Sequence, residues 1–245
     1  MNNQDEKNFY TLLLTLGYAY FIIIILPYII FGFGFSPWII SVPDLIDLIL
    51  YPTIITIILV LMQSKIDDVP KWSKLLFAFF TVIHLYGSGF HWAANAIHET
   101  IKHTVPNSSM EAVSEALDYA YFLDEILSHK IFFYPLFILL LIVTYWATIR
   151  EFNVENKSYI YFGDISSILA GFSIMVSTIE GQTPYETLIF AVLVITILTL
   201  KIKDIKEILS RPVARYMFLL AIFTLFFAAL YLGVFGSFIQ PSEIL

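Results

Sequence analysis

Cysteine is absent from the 245 residues, which excludes disulfides, thiolate metal ligands and cysteine nucleophiles. Any metal site in this chain must therefore use His, Asp, Glu or backbone oxygen. Charge is scarce too: Asp, Glu, Lys and Arg make up 13% of the chain, against 59% hydrophobic residues. Soluble domains carry about 25% charged residues, so the composition predicts an integral membrane protein with membrane lipid as its first partner. Basic residues number 13 and the net charge is −7, a balance that predicts no nucleic-acid partner. No small-residue cleavage site follows the first apolar run after "MNNQDEKNFY". That run is expected to be retained as a helix and not removed as a signal peptide.

Apolar length is abundant. A hydrocarbon core ~30 Å thick needs about 20 apolar residues of helix to cross it. Seven segments qualify, at 9–33, 44–63, 73–99, 117–149, 159–180, 184–202 and 213–238. They predict an all-α fold, a polytopic seven-transmembrane helical bundle forming one domain over residues 1–245. The third and fourth segments exceed a single crossing and should project beyond the bilayer. Lys7, the group Lys65, Lys71 and Lys74, the pair Arg150 and Lys157, and Lys201, Lys203, Lys206, Arg211 and Arg215 all fall on one side of this division. Only Lys102 and Lys130 fall on the other. The positive-inside rule then predicts a cytoplasmic N-terminus and an external C-terminus in a multi-pass protein of the cell membrane. Ser108 or Ser109 in "PNSSMEAVSEAL" is placed to cap the fourth helix. Asp67, Asp68 and Asp164 lie at the cytoplasmic border, where lysines are the expected partners. Trp38, Trp72, Tyr159 and Tyr216 suit an interfacial belt.

Ionisable groups inside a spanning helix are costly and usually face the bundle interior. The stretch "HLYGSGFHWAANAIH" sets His84, His91 and His98 seven residues apart. At 100° per residue they drift by only about 40°, and Ser88 and Asn95 join the stripe. Val82, Tyr86, Ala93 and Ile97 form the opposite, apolar face. In "DYAYFLDEILSH" the same projection puts Asp118, Glu125 and His129 on one face, with Asp124 about 100° away. Glu125 and His129 are spaced to reach a common ion. Ser166, Ser173, Ser177 and Glu180 form a small, polar stripe suited to close helix approach. Counting about 20 residues outward from the basic end of each helix brings His91, Asn95, His98, Glu125, His129 and Glu180 to one level, with Asp44 and Asp47. Residues seven apart are ~10.5 Å apart along the axis, whereas zinc ligands sit ~2.0–2.1 Å from the ion. The three histidines therefore cannot share one ion.

These residues predict a divalent metal site, with zinc as the metal and His91, His98, Glu125 and His129 as ligands. Asp124 and Glu180 are the expected catalytic carboxylates. His84, Ser88, Asn95 and Ser177 would support the ligands by hydrogen bonds or form a proton relay, with His84 equally suited to a structural hydrogen bond. The chemistry expected is hydrolysis of a lipid-like amide or ester, a metal-bound water being activated by a free carboxylate. In architecture this resembles the seven-helix zinc hydrolases related to adiponectin receptors and alkaline ceramidases, which combine three histidines with an acid and a serine. Those proteins draw a histidine pair from a late helix, whereas no histidine follows His129 here. Two other readings fit the same residues. One is a redox protein with haem between His91 and His129, or with a non-haem iron or copper centre. The other is a proton or divalent-ion transporter or sensor using the histidine ladder.

Overall fold

The computed structural model describes residues 3–31, 42–104, 111–154 and 156–241. Of these 89% are helical, and none lies in a strand. The helices are α1 (Asn3–Tyr20), α2 (Leu26–Phe31), α3 (Val42–Ser64), α4 (Lys71–Thr104), α5 (Glu111–Tyr121), α6 (His129–Ile149), α7 (Lys157–Glu180), α8 (Pro184–Ile202), α9 (Ile205–Ser210) and α10 (Pro212–Phe235). π-Helical segments at Phe21–Ile25 and Phe122–Ser128 join α1 to α2 and α5 to α6. Helix therefore runs unbroken over each of those pairs.

Among the described residues, six helical stretches are long and apolar enough to cross a membrane: Gln4–Ile25, Lys71–His98, Ser114–Ile149, Lys157–Glu180, Pro184–Ile202 and Pro212–Phe235. The segment expected at 44–63 is α3, in which Ile49–Ser64 is a shorter apolar stretch. The two helices expected to be longer than a single crossing requires run to 34 residues in α4 and 36 in Ser114–Ile149. Ser108, Ser109 and Trp38 lie outside the described residues. Large apolar side chains such as Leu75, Leu200 and Phe226 point outward with exposures of 72%, 69% and 53%. An apolar exterior over an apolar core suits a lipid surround. Val82, Tyr86 and Ile97 are exposed as the stripe projection requires, whereas His84 and Ser88 on the other face are buried.

One end of the bundle is held by charge. The Arg150 guanidinium donates to Glu6 Oε1 and to Asp68 Oδ2, both at 3.0 Å. The second Glu6 oxygen accepts from the Asn153 backbone N–H at 3.0 Å. Arg215 grips Asp164 with Nε at 2.8 Å and an Nη at 2.6 Å. Of the three aspartates expected to pair with lysine, Asp67 pairs with Lys74 at 3.3 Å. The other two meet arginine, whose planar fork reaches two acceptors at once. Beneath this layer Trp146 is fully buried, stacked on Phe77, with its indole N–H donating to Ser73 Oγ at 2.9 Å. Tyr216, expected in an interfacial belt, is instead buried against α7, its hydroxyl 3.3 Å from Ser166 Oγ.

α7 packs on α1 and α10 through small residues, as its serine stripe predicts. Ser166 donates to the Leu14 carbonyl at 2.6 Å, and a Cβ on Gly17 would lie 2.4 Å from Ser166 Oγ. The contact between α4 and α6 is backbone on backbone. Pro135 has no N–H, so the carbonyl four residues earlier, at Ile131, loses its helical donor. Gly87 packs directly on that carbonyl: a Cβ there would sit 2.6 Å from Ile131 O. One turn away His84 Nδ1–H donates to the Phe132 carbonyl at 2.9 Å. A carbonyl only accepts, so in the neutral ring His84 Nε2 holds the lone pair and takes the Tyr51 hydroxyl at 2.8 Å. Tyr51 in turn lies 2.6 Å from the Tyr20 hydroxyl. α1, α3, α4 and α6 are thus tied at one buried point.

Two comparisons test these contacts by reversible unfolding in detergent. Gly87→Ala is expected to destabilise by about 1–3 kcal/mol through overpacking against backbone. Gly89→Ala, with nothing within 4 Å of the new Cβ, should be neutral or slightly stabilising through helix propensity. Equal losses at the two glycines contradict the packing account. Arg150→Met strands Glu6, which is 7% exposed, and should cost about 3 kcal/mol. Lys74→Met breaks a pair whose aspartate is 70% exposed and should cost less than about 1 kcal/mol.

Candidate metal centre

The opposite end of the bundle holds a second group of ionisable side chains. α4 contributes His91 and His98, and the Phe122–Ser128 segment contributes Asp124 and Glu125. That segment is π-helical, so each turn is closed by i→i+5 bonds and holds more than 3.6 residues. Successive side chains there advance by less than the 100° of an α-helix. Asp124 and Glu125 consequently point in more similar directions than an α-helical projection allows. Asp124 is turned in to 3% exposure, where that projection had set it about 100° from the polar face. Nothing in "FLDEILS" marks the extra residue per turn.

Asp124 lies between two imidazoles. His98 Nδ1 donates to its Oδ2 at 3.0 Å, and His91 Nδ1 stands 3.7 Å from its Oδ1. The Ser128 hydroxyl donates to the Asp124 carbonyl, so its oxygen is left to accept from His91 Nδ1–H at 3.1 Å. His129 Nδ1–H donates to the Glu125 carbonyl at 3.0 Å. In the neutral rings of His91 and His129 the lone pair is therefore on Nε2, the arrangement found where imidazole serves as ligand or base. The two rings lie 4.4 Å apart between centroids. Gly181, just past α7, backs onto His129: a Cβ there would lie 2.7 Å from Cδ2 of the ring.

His98, Asp124 and Glu125 each offer a ligand atom within 4.8 Å of the other two. A tetrahedral zinc site with bonds of ~2.0–2.1 Å separates its ligand atoms by about 3.4 Å. Side-chain rotations of the order of an ångström close that gap. Of the expected ligands, His98 and Glu125 are in this group, while His91 and His129 lie beside it as a ring pair. Asp124, expected as a catalytic carboxylate, takes a position among the possible ligands. Glu180 brings its backbone carbonyl to this end of the bundle. His84 is held apart by Tyr51 and Phe132. Ser88 is buried, Asn95 is half-buried on α4 between His91 and His98, and Ser177 Oγ is buried with no hydrogen-bond partner among the described residues. The side chains of Asp44 and Asp47 lie outside the described residues.

Several contributors escape sequence reasoning. Gln240, beyond α10, donates from Nε2 to Glu125 Oε2 at 3.1 Å and to the Glu180 carbonyl at 2.7 Å. Gln182 Nε2 donates to the Tyr121 hydroxyl at 2.7 Å, and the Tyr121 ring meets His98 edge-on at 5.7 Å. These are neutral side chains far apart in sequence, and no spacing rule connects them. The one available signal is Gly236, whose φ of 74° ends α10 and lets the following residues turn back. Comparison of the chain with protein-family profiles, with curated proteins and with solved structures finds no match.

Proposed function

We propose that this chain is a metal-dependent membrane hydrolase, with zinc the metal and a lipid amide or ester the substrate. The observation that carries the reading is the convergence of His98, Asp124 and Glu125 on one point, at the end of a bundle built from helices able to cross a membrane. Nitrogen and oxygen ligands suit zinc, and three protein ligands leave a fourth position for water. A zinc ion there lowers the pKa of its water toward ~7.

His91 is assigned as the general base. Its Nδ1–H is oriented by Ser128 and Asp124, which leaves Nε2 to accept a proton, and a base oriented by a further group is the recurring requirement. Among the described residues the arginine pairs all lie at the other end of the bundle. By the positive-inside rule the metal end would then be external in a seven-helix, N-in arrangement in the cell membrane, open to lipid of the outer leaflet. Haem is disfavoured because a porphyrin must lie between its two imidazoles, and rings 4.4 Å apart between centroids leave no room for that plane. A through-path for ions is disfavoured by the layer inward of His84, where Phe77 and Trp146 are buried and stacked.

Elemental analysis of detergent-purified protein supplied with zinc tests this reading. The wild type is expected to retain about one zinc per chain, and the double variant His98→Ala, Asp124→Asn less than a tenth of that. His91→Ala should keep the metal but slow hydrolysis of a fluorogenic lipid amide or ester by about 10²–10⁴-fold, the usual contribution of a general base. Metal-free wild type, or full zinc in the double variant, contradicts the assignment.

A further inference from the structure

We infer that Gln240 is a positioning residue for the metal site, and that the strap carrying it, residues 236–241, sets the affinity of Glu125 for the ion. This rests on the metal reading above and goes beyond it by adding an element that neither ligand spacing nor charge suggests.

The primary amide of Gln240 has two N–H bonds, and both have acceptors. One reaches Glu125 Oε2 at 3.1 Å and the other the Glu180 carbonyl at 2.7 Å. The second acceptor is among the last carbonyls of α7, which have no donor within the helix. With the amide reversed, its oxygen would face two other acceptors, so the network fixes which atom points inward. Oε1 is then left toward Gln182, whose Nε2 lies 3.4 Å away. Glu125 keeps its other carboxylate oxygen for a ligand bond while Oε2 is held.

The strap is anchored independently of this contact. Gly236 ends α10 in the left-handed conformation. The Tyr231 hydroxyl donates to the Ile239 carbonyl at 2.5 Å. Phe238 meets the Tyr185 ring edge-on at 5.6 Å and stacks on Tyr231 at 6.4 Å. Gln240 therefore reaches Glu125 from a fixed base, and the carboxylate is ordered before an ion arrives. Hydrogen-bond partners of ligating groups act in this way, and their loss typically costs 10–100-fold in metal affinity.

Zinc affinity measured by chelator competition on the full chain in detergent tests the inference. Gln240→Met keeps the length of the side chain and removes both donors; it should weaken zinc binding by about 10–100-fold. Gln240→Asn keeps the amide but falls a methylene short, and should be weakened to an intermediate degree. Size-exclusion elution identical to wild type selects the folded fraction in which affinity is read. Tyr231→Phe, which loosens the strap without touching the amide, should weaken binding by several-fold and covers the event that neither Gln240 variant folds. If the wild type binds zinc and all three variants match it within twofold, the inference fails and the metal reading stands. If the wild type binds no zinc at all, both fall together.

Discussion

The contact between α4 and α6 is the constraint on which the rest of the bundle depends. An apolar helix pair gains little from the hydrophobic effect in a lipid surround, so close packing and hydrogen bonds between helices must hold it. Pro135 leaves the Ile131 carbonyl without its helical donor, and Gly87 lets the two backbones meet there. His84 then satisfies the next carbonyl, Phe132, and passes its other nitrogen to Tyr51 and so to Tyr20. Because α4 and α6 are fixed in register at this point, residues one and two helical repeats along α4, His91 and His98, arrive opposite Ser128 and Asp124. His84, which the sequence offers as a relay or a structural hydrogen bond, acts as the fastening that aligns His91 and His98.

The two ends of the bundle treat buried charge differently. At one end, carboxylates meet arginines in forked pairs, Glu6 and Asp68 with Arg150 and Asp164 with Arg215. Both Glu6 oxygens and both Asp164 oxygens are taken by donors, and the result is structural. At the other end the carboxylates of Asp124 and Glu125 meet imidazole and amide donors, which carry no permanent charge. Carboxylate oxygens held by such donors are the groups on which the metal proposal rests.

Much of this was legible from residue types and periodicity. The all-helical, lipid-suited architecture follows from apolar length, and the inward polar face of α4 follows from the 100° step, which places His84 and Ser88 inside and Val82 and Ile97 outside. The shared level of His98 and Glu125 follows from counting rise along each helix. Asp124 was misdirected because the projection assumed α-geometry across a π-helical segment, and i→i+5 bonding leaves no compositional mark. Tyr216 was misplaced because an aromatic near a helix end is buried or interfacial according to its tertiary neighbours, here Ser166. Gln240 and Gln182 leave no mark in the sequence because long-range amide contacts have no period at all.

The central claim is that His98, Asp124 and Glu125 form one metal site. X-ray absorption at the zinc edge of the loaded protein reads the inner coordination sphere directly. The account predicts one imidazole nitrogen with the remaining ligands oxygen, at about 2.0–2.2 Å. A shell with two or more imidazoles, or an all-oxygen shell with no imidazole signature, would contradict it.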